Sequence, residues 1–371
     1  MPNSKSVLIS FLGNISYDSR CNNLFNSLKQ SGYYVNFLGF DWLTENFTPI
    51  SGDKTIIKLH KSGFSLSFYL KFTFLLISHL FKNKYEIYFS EDIYTLPFVV
   101  IFSKKNAKIF YDSRELFGHL AGLKKKKIIQ VLLRWVEKIF ITKVDNVITT
   151  GKMDSEFLGK KYNINKTIQL RNLPNYLKPE SPIDFRKIFD IPESKKILLY
   201  QGVIFHGRGI RLICDVLKNS SKFVFIIIGG GEQKKYYENL SLEMGIQEKV
   251  IFYGKVDQHD LINLTAGADV GISLIENVSL SYYYALPNKL FEYIMAEIPV
   301  LVSNLPQMEE VVKKYKIGEV VNPYEKSQIE KALLKLTGDK EYYQSLKQNC
   351  KSASVELNWE KEIINLYRVL D

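Results

Sequence analysis

Short apolar runs alternate with amphipathic stretches along most of the chain. Val7–Phe11, Tyr34–Leu38, Tyr85–Phe89, Lys108–Tyr111 and Asn146–Thr149 have the length and bounding residues of strands. Asp18 is placed to cap a helix whose apolar positions, Cys21, Leu24, Phe25 and Leu28, recur at helical spacing, and Gly32 ends it. The texture changes over residues 171–192, RNLPNYLKPESPIDFRKIFDIP, where four prolines and little periodicity read as a connection. The rhythm restarts with strands at Ile197–Gln201, Phe223–Ile228, Val250–Tyr253, Val270–Leu274 and Val300–Ser303. From about Lys326 the chain is helical, and Leu357–Leu370 carries Trp359, Ile363, Ile364, Tyr367 and Leu370 at helical spacing. Strand–helix alternation in two halves predicts an α/β protein. Two parallel-sheet, Rossmann-like domains are expected, with ligands in a cleft between them.

A length of 371 residues agrees with two domains. Three widely spaced cysteines (Cys21, Cys214 and Cys350) argue for a reducing compartment and against a disulfide scaffold. There is no CxxC or HExxH, and the five histidines are scattered, so no metal site is expected. The net charge of +11 fits a basic enzyme with anionic ligands or contact with an anionic membrane surface. Nucleic acid is not an expected partner, because no RNA-binding fingerprint or finger spacing is present. Lys124–Lys127 are four consecutive lysines, either a solvated face or a peripheral contact for anionic lipid. Lys5 precedes only the short apolar run Val7–Leu12, with no small-residue cleavage site after it, so the run reads as a strand and not a secretory signal. Phe68–Phe81 is the most apolar segment. Lys71 interrupts it and it falls short of the ~18 residues a spanning helix needs, so a buried or membrane-skimming helix is expected.

Candidate chemistry sits at strand ends. After the first strand of the second half comes YQGVIFHGRG, residues 200–209. Its glycines allow tight turning, and Arg208 can fork onto a diphosphate or be a surface arginine. Gly229, Gly230 and Gly231 follow the next strand, and Gly254 the one after. The triplet is not a dinucleotide fingerprint, since Lys234 stands where the third glycine belongs. In YYYALPNKLFEYIMAEIPVLVS, residues 282–303, Pro287 precedes a helix start at Asn288. Lys289 and Glu292 share a face of its first turn, where free amides and the dipole suit a phosphate. Glu292 can accept from ribose hydroxyls or simply complement the dipole. In the first half, Gly13–Arg20, Ser90–Asp92 and Asp112–Glu115 follow strands. Asp18, Glu91, Asp92, Asp112 and Glu115 can bind sugar hydroxyls or move a proton, while Asp18 and Asp112 can equally be helix caps.

In their order, GVIFHGRGI, FVFIIIGGG, VIFYGKVDQHDL, ADVGISL and ALPNKLFEYIMAEIPVLVS resemble the nucleotide-sugar domain of retaining GT-B glycosyltransferases of family four, the glycosyl transferases group 1 type. GNISYDSR resembles the N-terminal loop of the polysaccharide-building branch. YFSEDIYTLP and YDSREL occupy the places of the HxHD and YDxHE segments, and NWEKEIINLYRVL resembles the last helix, which in that fold crosses back to the first domain. The resemblance implies an acceptor-binding domain over 1–172, a connection over 173–192, a nucleotide-sugar domain over 193–355 and a returning helix over 356–371.

It also implies that Glu292 holds the donor ribose and that Asn288, Lys289 and Leu290 meet the diphosphate. Arg208 takes the place of a phosphate-binding lysine, and Gly202, Gly229, Gly230 and Gly254 adjoin the donor. Acceptor binding is expected of Gly13, Asp18, Arg20, Glu91, Asp92, Asp112, Arg114 and Glu115. Three departures stand out. Val203 replaces an arginine, Tyr284 replaces the first acid of the Glu-x7-Glu motif, and Glu91 and Arg114 replace histidines. Contacts to the donor sugar are therefore expected from backbone groups of the Ser279–Ala285 loop, while His119 is expected to be structural.

The expected activity is metal-independent, retaining transfer from a nucleotide-diphosphate sugar to a saccharide or lipid-linked acceptor. Arg208, Lys289 and Glu292 would carry it, with no cofactor. The expected location is cytoplasmic, peripheral to the inner face of the membrane. Nucleotide-sugar epimerisation and a non-catalytic partner subunit are the alternatives.

Overall fold

The computed structural model describes residues 5–13, 18–41, 52–59 and 65–370; residues 14–17 of the first polar loop lie outside the described residues. The chain forms two compact units. The first comprises residues up to Arg171 together with those from Ile363 onward, and the second comprises Asn172–Glu362.

Seven strands build the first unit: β1 (Ser6–Phe11), β2 (Tyr34–Asp41), β3 (Lys54–Lys58), β4 (Ile87–Ser90), β5 (Lys108–Ser113), β6 (Asn146–Thr149) and β7 (Thr167–Gln169). They pair in parallel in the order β3-β2-β1-β4-β5-β6-β7. The second unit holds β8 (Lys196–Gln201), β9 (Phe223–Ile228), β10 (Val250–Gly254), β11 (Val270–Ser273), β12 (Val300–Ser303) and β13 (Gly318–Val321), also all parallel, in the order β10-β9-β8-β11-β12-β13. Both are Rossmann-like sheets. In each, the strand order reverses beside the first strand, at β1/β4 and at β8/β11.

The strongest strands owe their place to two-sided burial. All six residues of β9, FVFIII, are buried, because parallel strands are covered on both faces. Each such side chain gains ~1.5–3 kcal/mol on leaving water. The strands that periodicity did not predict, β3, β7 and β13, are all edge strands. An edge strand has one neighbour and less cover, so KTIIK and TIQ need no long apolar run.

Asp18 caps the helix Ser19–Gln30, accepting from the Cys21 amide at 2.8 Å, and the four apolar residues expected inside are buried. The apolar segment at 68–81 lies in a helix, Ser65–Lys82, that buries Phe68, Phe72, Leu76 and Leu80 on one stripe. Among the described residues no helix is long and apolar enough to cross a membrane. The helix expected over 357–370 is instead two, Trp359–Glu362 and Ile364–Leu370. Asn358 accepts from the Lys361 amide at 3.1 Å and starts the first. The second belongs to the first unit, where Tyr367 donates to the Ser27 carbonyl at 3.1 Å and Lys108 to the Leu370 carbonyl at 3.0 Å. The break at Ile363 is where the chain leaves one unit for the other.

Candidate active site

In the second unit, the carboxyl ends of β8 and β11 flank the point where the strand order reverses, the usual ligand crevice of such sheets. Gly202 leaves β8 at φ +117°, and Gly209 turns into the next helix at φ +82°. A Cβ on Gly209 would strike the Leu274 backbone, so glycine lets the loop after β8 lie against the loop after β11. The Glu276 amide bonds the Gly207 carbonyl at 3.0 Å and ties the two together. Gly229 approaches Gly202 with no room for a side chain, and its amide reaches the Gly254 carbonyl at 2.7 Å. Gly202, Gly229 and Gly254 therefore form one low ledge. Gly230 adjoins it and packs against the Lys255 side chain.

The helix Asn288–Met295 rises beside this ledge. It turns Leu290, Phe291, Tyr293 and Ile294 into the core and leaves Lys289 and Glu292 on the side toward β8. The Lys289 ammonium lies 3.5 Å from the centre of the Tyr200 ring, and a Cβ on Gly202 would be 4.0 Å from it. Only 8% of Lys289 is exposed, and its Nζ has no hydrogen-bond partner. Burial holds its pKa well below the ordinary lysine value, the Arg208 charge acts in the same direction, and Glu292 opposes both. The Arg208 guanidinium stacks over Tyr282 at 4.5 Å, and its Nε is likewise buried and unpartnered. A buried lysine whose charge is disfavoured and a part-buried guanidinium, each with an unused donor, beside a helix whose first amides lack intrahelical partners, form an anion cradle.

Glu292 sits at the rim. Its Oε2 accepts from Gln201 at 2.5 Å, and the Gln201 Oε1 accepts from the Thr265 hydroxyl at 2.8 Å. Burial raises the Glu292 pKa, against the bonds from Gln201 and Gln258 and the Lys289 charge. The Tyr293 hydroxyl donates across the strand ends toward the Leu199 and Ile272 carbonyls, each at 3.1 Å, and receives the Gln201 amide at 3.3 Å. Gln201, Thr265, Tyr200 and Tyr293 were not anticipated, and Tyr282 was expected only as part of the Ser279–Ala285 loop. The one available signal was Gln201, a buried polar residue closing the apolar strand KILLYQ.

Two expectations at this site change. Leu290 is fully buried and its amide bonds the Pro287 carbonyl at 3.1 Å, so its side chain is core and it has no free group to meet a diphosphate. The stretch expected to offer backbone groups to a sugar forms a short helix, Leu280–Tyr283, capped by Ser279. The amides of Tyr283, Tyr284 and Ala285 are all bonded within it, and the Tyr284 carbonyl accepts from Gln307.

In the first unit, the expected residues form a buried ionic cluster at the ends of β1, β4 and β5. Arg20 forks onto Asp112 at 2.6 and 3.1 Å and reaches the Leu170 carbonyl at 2.7 Å. Arg114 forks onto Asp18 at 2.6 and 2.9 Å, meets Glu91 at 3.1 Å and lies 4.7 Å over the Phe11 ring. Beside that ring, Gly13 accepts the Phe40 amide at 3.0 Å. Burial and the Asp112 charge push Glu91 up to about 8, whereas the Arg114 charge and hydrogen bonds hold Asp18 at about 2 despite burial. Glu91 Oε1 and Arg114 Nε remain unpartnered.

Asp92 and Asp112 differ from the expectation of sugar-binding carboxylates. Asp92 accepts the amides of Leu12, Tyr94 and Thr95, and both oxygens of Asp112 are held by Arg20, so each is a structural clamp. Asp112 is a strand residue and caps no helix. Glu115 is exposed. His119 stands 3.3 Å from Lys161, whose charge joins burial in lowering its pKa to about 4.

The family of glycosyl transferases group 1 matches residues 183–353, the segment that carries β8 to β13 and the anion cradle. A protein of Methanocaldococcus jannaschii described as an uncharacterized glycosyltransferase is 26% identical over 199 residues. The match covers 51% of this chain and 49% of that protein, so the chain spans about half the length of this curated relative. Among solved structures, a sucrose-phosphate synthase from Thermosynechococcus elongatus superposes with a TM-score of 0.81 at 16% identity, covering 98% of both chains. Anabaena HepE in complex with UDP and glucose does so at 0.73 and 12% identity, covering 99% of both. These likenesses show the fold, which is GT-B. The group 1 glycosyl transferase match falls on the second unit and covers a little under half of the chain.

Proposed function

We propose that this protein transfers a sugar from a nucleotide-diphosphate sugar to a saccharide or lipid-linked saccharide acceptor, with retention of configuration. The observation that carries the reading is Lys289, a buried ammonium without a partner, on the glycine ledge next to Arg208 and Glu292. HepE, a structural neighbour, binds UDP and glucose, and the matched family is one of glycosyl transferases. Glu292, oriented by Gln201, accepts from the ribose hydroxyls. Lys289, Arg208 and the amides at Asn288 carry the diphosphate. As the glycosidic bond breaks, these cations neutralise the charge that gathers on the departing phosphate, a task a metal ion performs elsewhere. Transfer is therefore expected to persist in a chelator. Contact of Lys124–Lys127 with anionic lipid would bring the protein to a lipid-linked acceptor.

Glu292→Ala tests the assignment. It should cut transfer by ~100-fold or more while the melting curve stays cooperative. Near-normal transfer would remove Glu292 from the site. A second reading is favoured by the first-unit cluster, where Glu91 and Arg114 bond one another in place of histidines. It is a partner subunit that binds donor without using it. Tight donor binding with no turnover on any acceptor would select that reading.

A further inference from the structure

One face of the first sheet is covered by the helices Ser65–Lys82, Leu96–Phe102 and Lys127–Phe140. They connect β3 to β4, β4 to β5 and β5 to β6, all progressing in one direction, so right-handed crossovers set them side by side. Phe81 and Phe102 touch between the first two, with ring centres 5.1 Å apart. The inner stripes of these helices are core, as Phe72, Val99 and Leu133 illustrate.

The outer stripes are apolar as well. Leu70, Phe74 and Phe81 repeat along one exposed side of the first helix, and Ile128, Leu132 and Trp135 along one exposed side of the third. Phe74 is 71% exposed and Ile128 86%, and Ile101 stands out from the middle helix. A helix that covers a sheet ordinarily turns polar residues outward, and an apolar patch of this extent marks an interaction surface.

Charge selects the occupant. Segments 65–84, 96–108 and 121–140 hold twelve lysines and arginines against one acid, Glu137. That acid is buried, accepting from the Tyr111 hydroxyl at 3.0 Å and the Tyr162 hydroxyl at 2.7 Å. Lys124–Lys127 lead directly into the apolar stripe of the third helix. Apolar and aromatic side chains rimmed by lysine, with no exposed acid among the described residues of these three segments, complement a surface that is anionic outside and hydrocarbon beneath.

We infer that this three-helix face docks on an anionic lipid bilayer, with Ile128, Leu132, Trp135, Leu70 and Phe74 entering the interface and Lys124–Lys127 meeting the phosphates. The inference deepens the lipid-linked acceptor of the proposed function. Its test is separable from that reading, because nucleoside diphosphate binding is measured independently.

The full chain is floated with vesicles of phosphatidylcholine alone or mixed with phosphatidylglycerol, at low and high salt. Flotation is expected with the anionic vesicles at low salt, about tenfold above the zwitterionic ones, and weaker at high salt. I128S, L132S and W135S together, and K124Q, K125Q, K126Q and K127Q together, should each lower it about tenfold. UDP titration of both variants should be unchanged, since the cradle lies in the other unit. Failure to float with anionic vesicles, or undiminished flotation of the apolar variant, overturns the inference. So does a self-association of the wild-type chain that the apolar variant abolishes without any vesicle binding. Flotation without nucleotide binding would leave the docking face standing and defeat the transferase reading instead.

Discussion

Lys289 is held under conditions that disfavour its charge, so an anion that lands beside it should restore the proton. Binding of a nucleoside diphosphate is therefore expected to shift the Lys289 titration upward and to take up protons wherever the free amine is present, seen as a dependence of the calorimetric heat on buffer ionisation enthalpy. Lys289→Met should abolish that dependence and weaken binding by about tenfold or more. An unaltered heat in the variant would dismiss the assignment. In the first unit the sign runs the other way. Glu91 keeps a proton in the folded state up to about 8, while the unfolded chain loses it near 4.5. Stability from this group is complete below 4.5 and drains away as pH rises toward 8. Glu91→Gln, which cannot ionise, should flatten the fall of melting temperature across that window. An equally steep fall in the variant would place the titration elsewhere.

At the scale of elements, the site depends on loops that only glycine lets meet. Gly209 combines a left-handed φ with a backbone neighbour, the Leu274 carbonyl, that cannot swing aside. Gly209→Ala should separate the loop after β8 from the loop after β11. Expected are a lower melting temperature, of order 1–3 kcal/mol in stability, and loss of nucleoside diphosphate binding together with it. Binding kept at full strength would show that the cradle does not need this approach. The helix Asn288–Met295 is anchored by five core side chains, Leu290, Phe291, Tyr293, Ile294 and Met295, and that anchorage converts the Lys289–Glu292 spacing into a fixed distance from β8.

For the whole molecule, the two units differ in continuity. The second is one stretch of chain, whereas the first takes in residues from Ile363 onward, including the buried Leu366 and Leu370. Deleting 363–371 should therefore destabilise the first unit by ~2–5 kcal/mol per buried leucine lost. Nucleoside diphosphate binding, which the proposed function assigns to the second unit, should survive. Two resolved melting transitions, with only the upper one raised by UDP, would be the signature. A loss of UDP binding on truncation would contradict it.

The central strands, the helix Ser19–Gln30 with its Asp18 cap and the helix at Asn288 were legible because burial on both faces, or one stripe, writes itself into apolar spacing. Lys289, Glu292, Gly202 and Arg208 were legible because strand ends and helix starts are local features. Edge strands β3, β7 and β13 were not, since one neighbour imposes little pattern. Nor was the turn at Ile363, where helical spacing continues through a change of unit. Partnership decided the remainder. Asp92 and Asp112 read as free carboxylates in the chain, yet three amides and Arg20 claim them; Tyr200, Tyr282 and Gln201 gain their roles only when strands remote in sequence lie side by side. Sequence by itself determined which groups stand at the ends of the elements. Tertiary structure alone decided which of those groups are already satisfied and which, like the Lys289 ammonium, remain without a partner, because desolvation and hydrogen bonding depend on neighbours that the order of residues does not name.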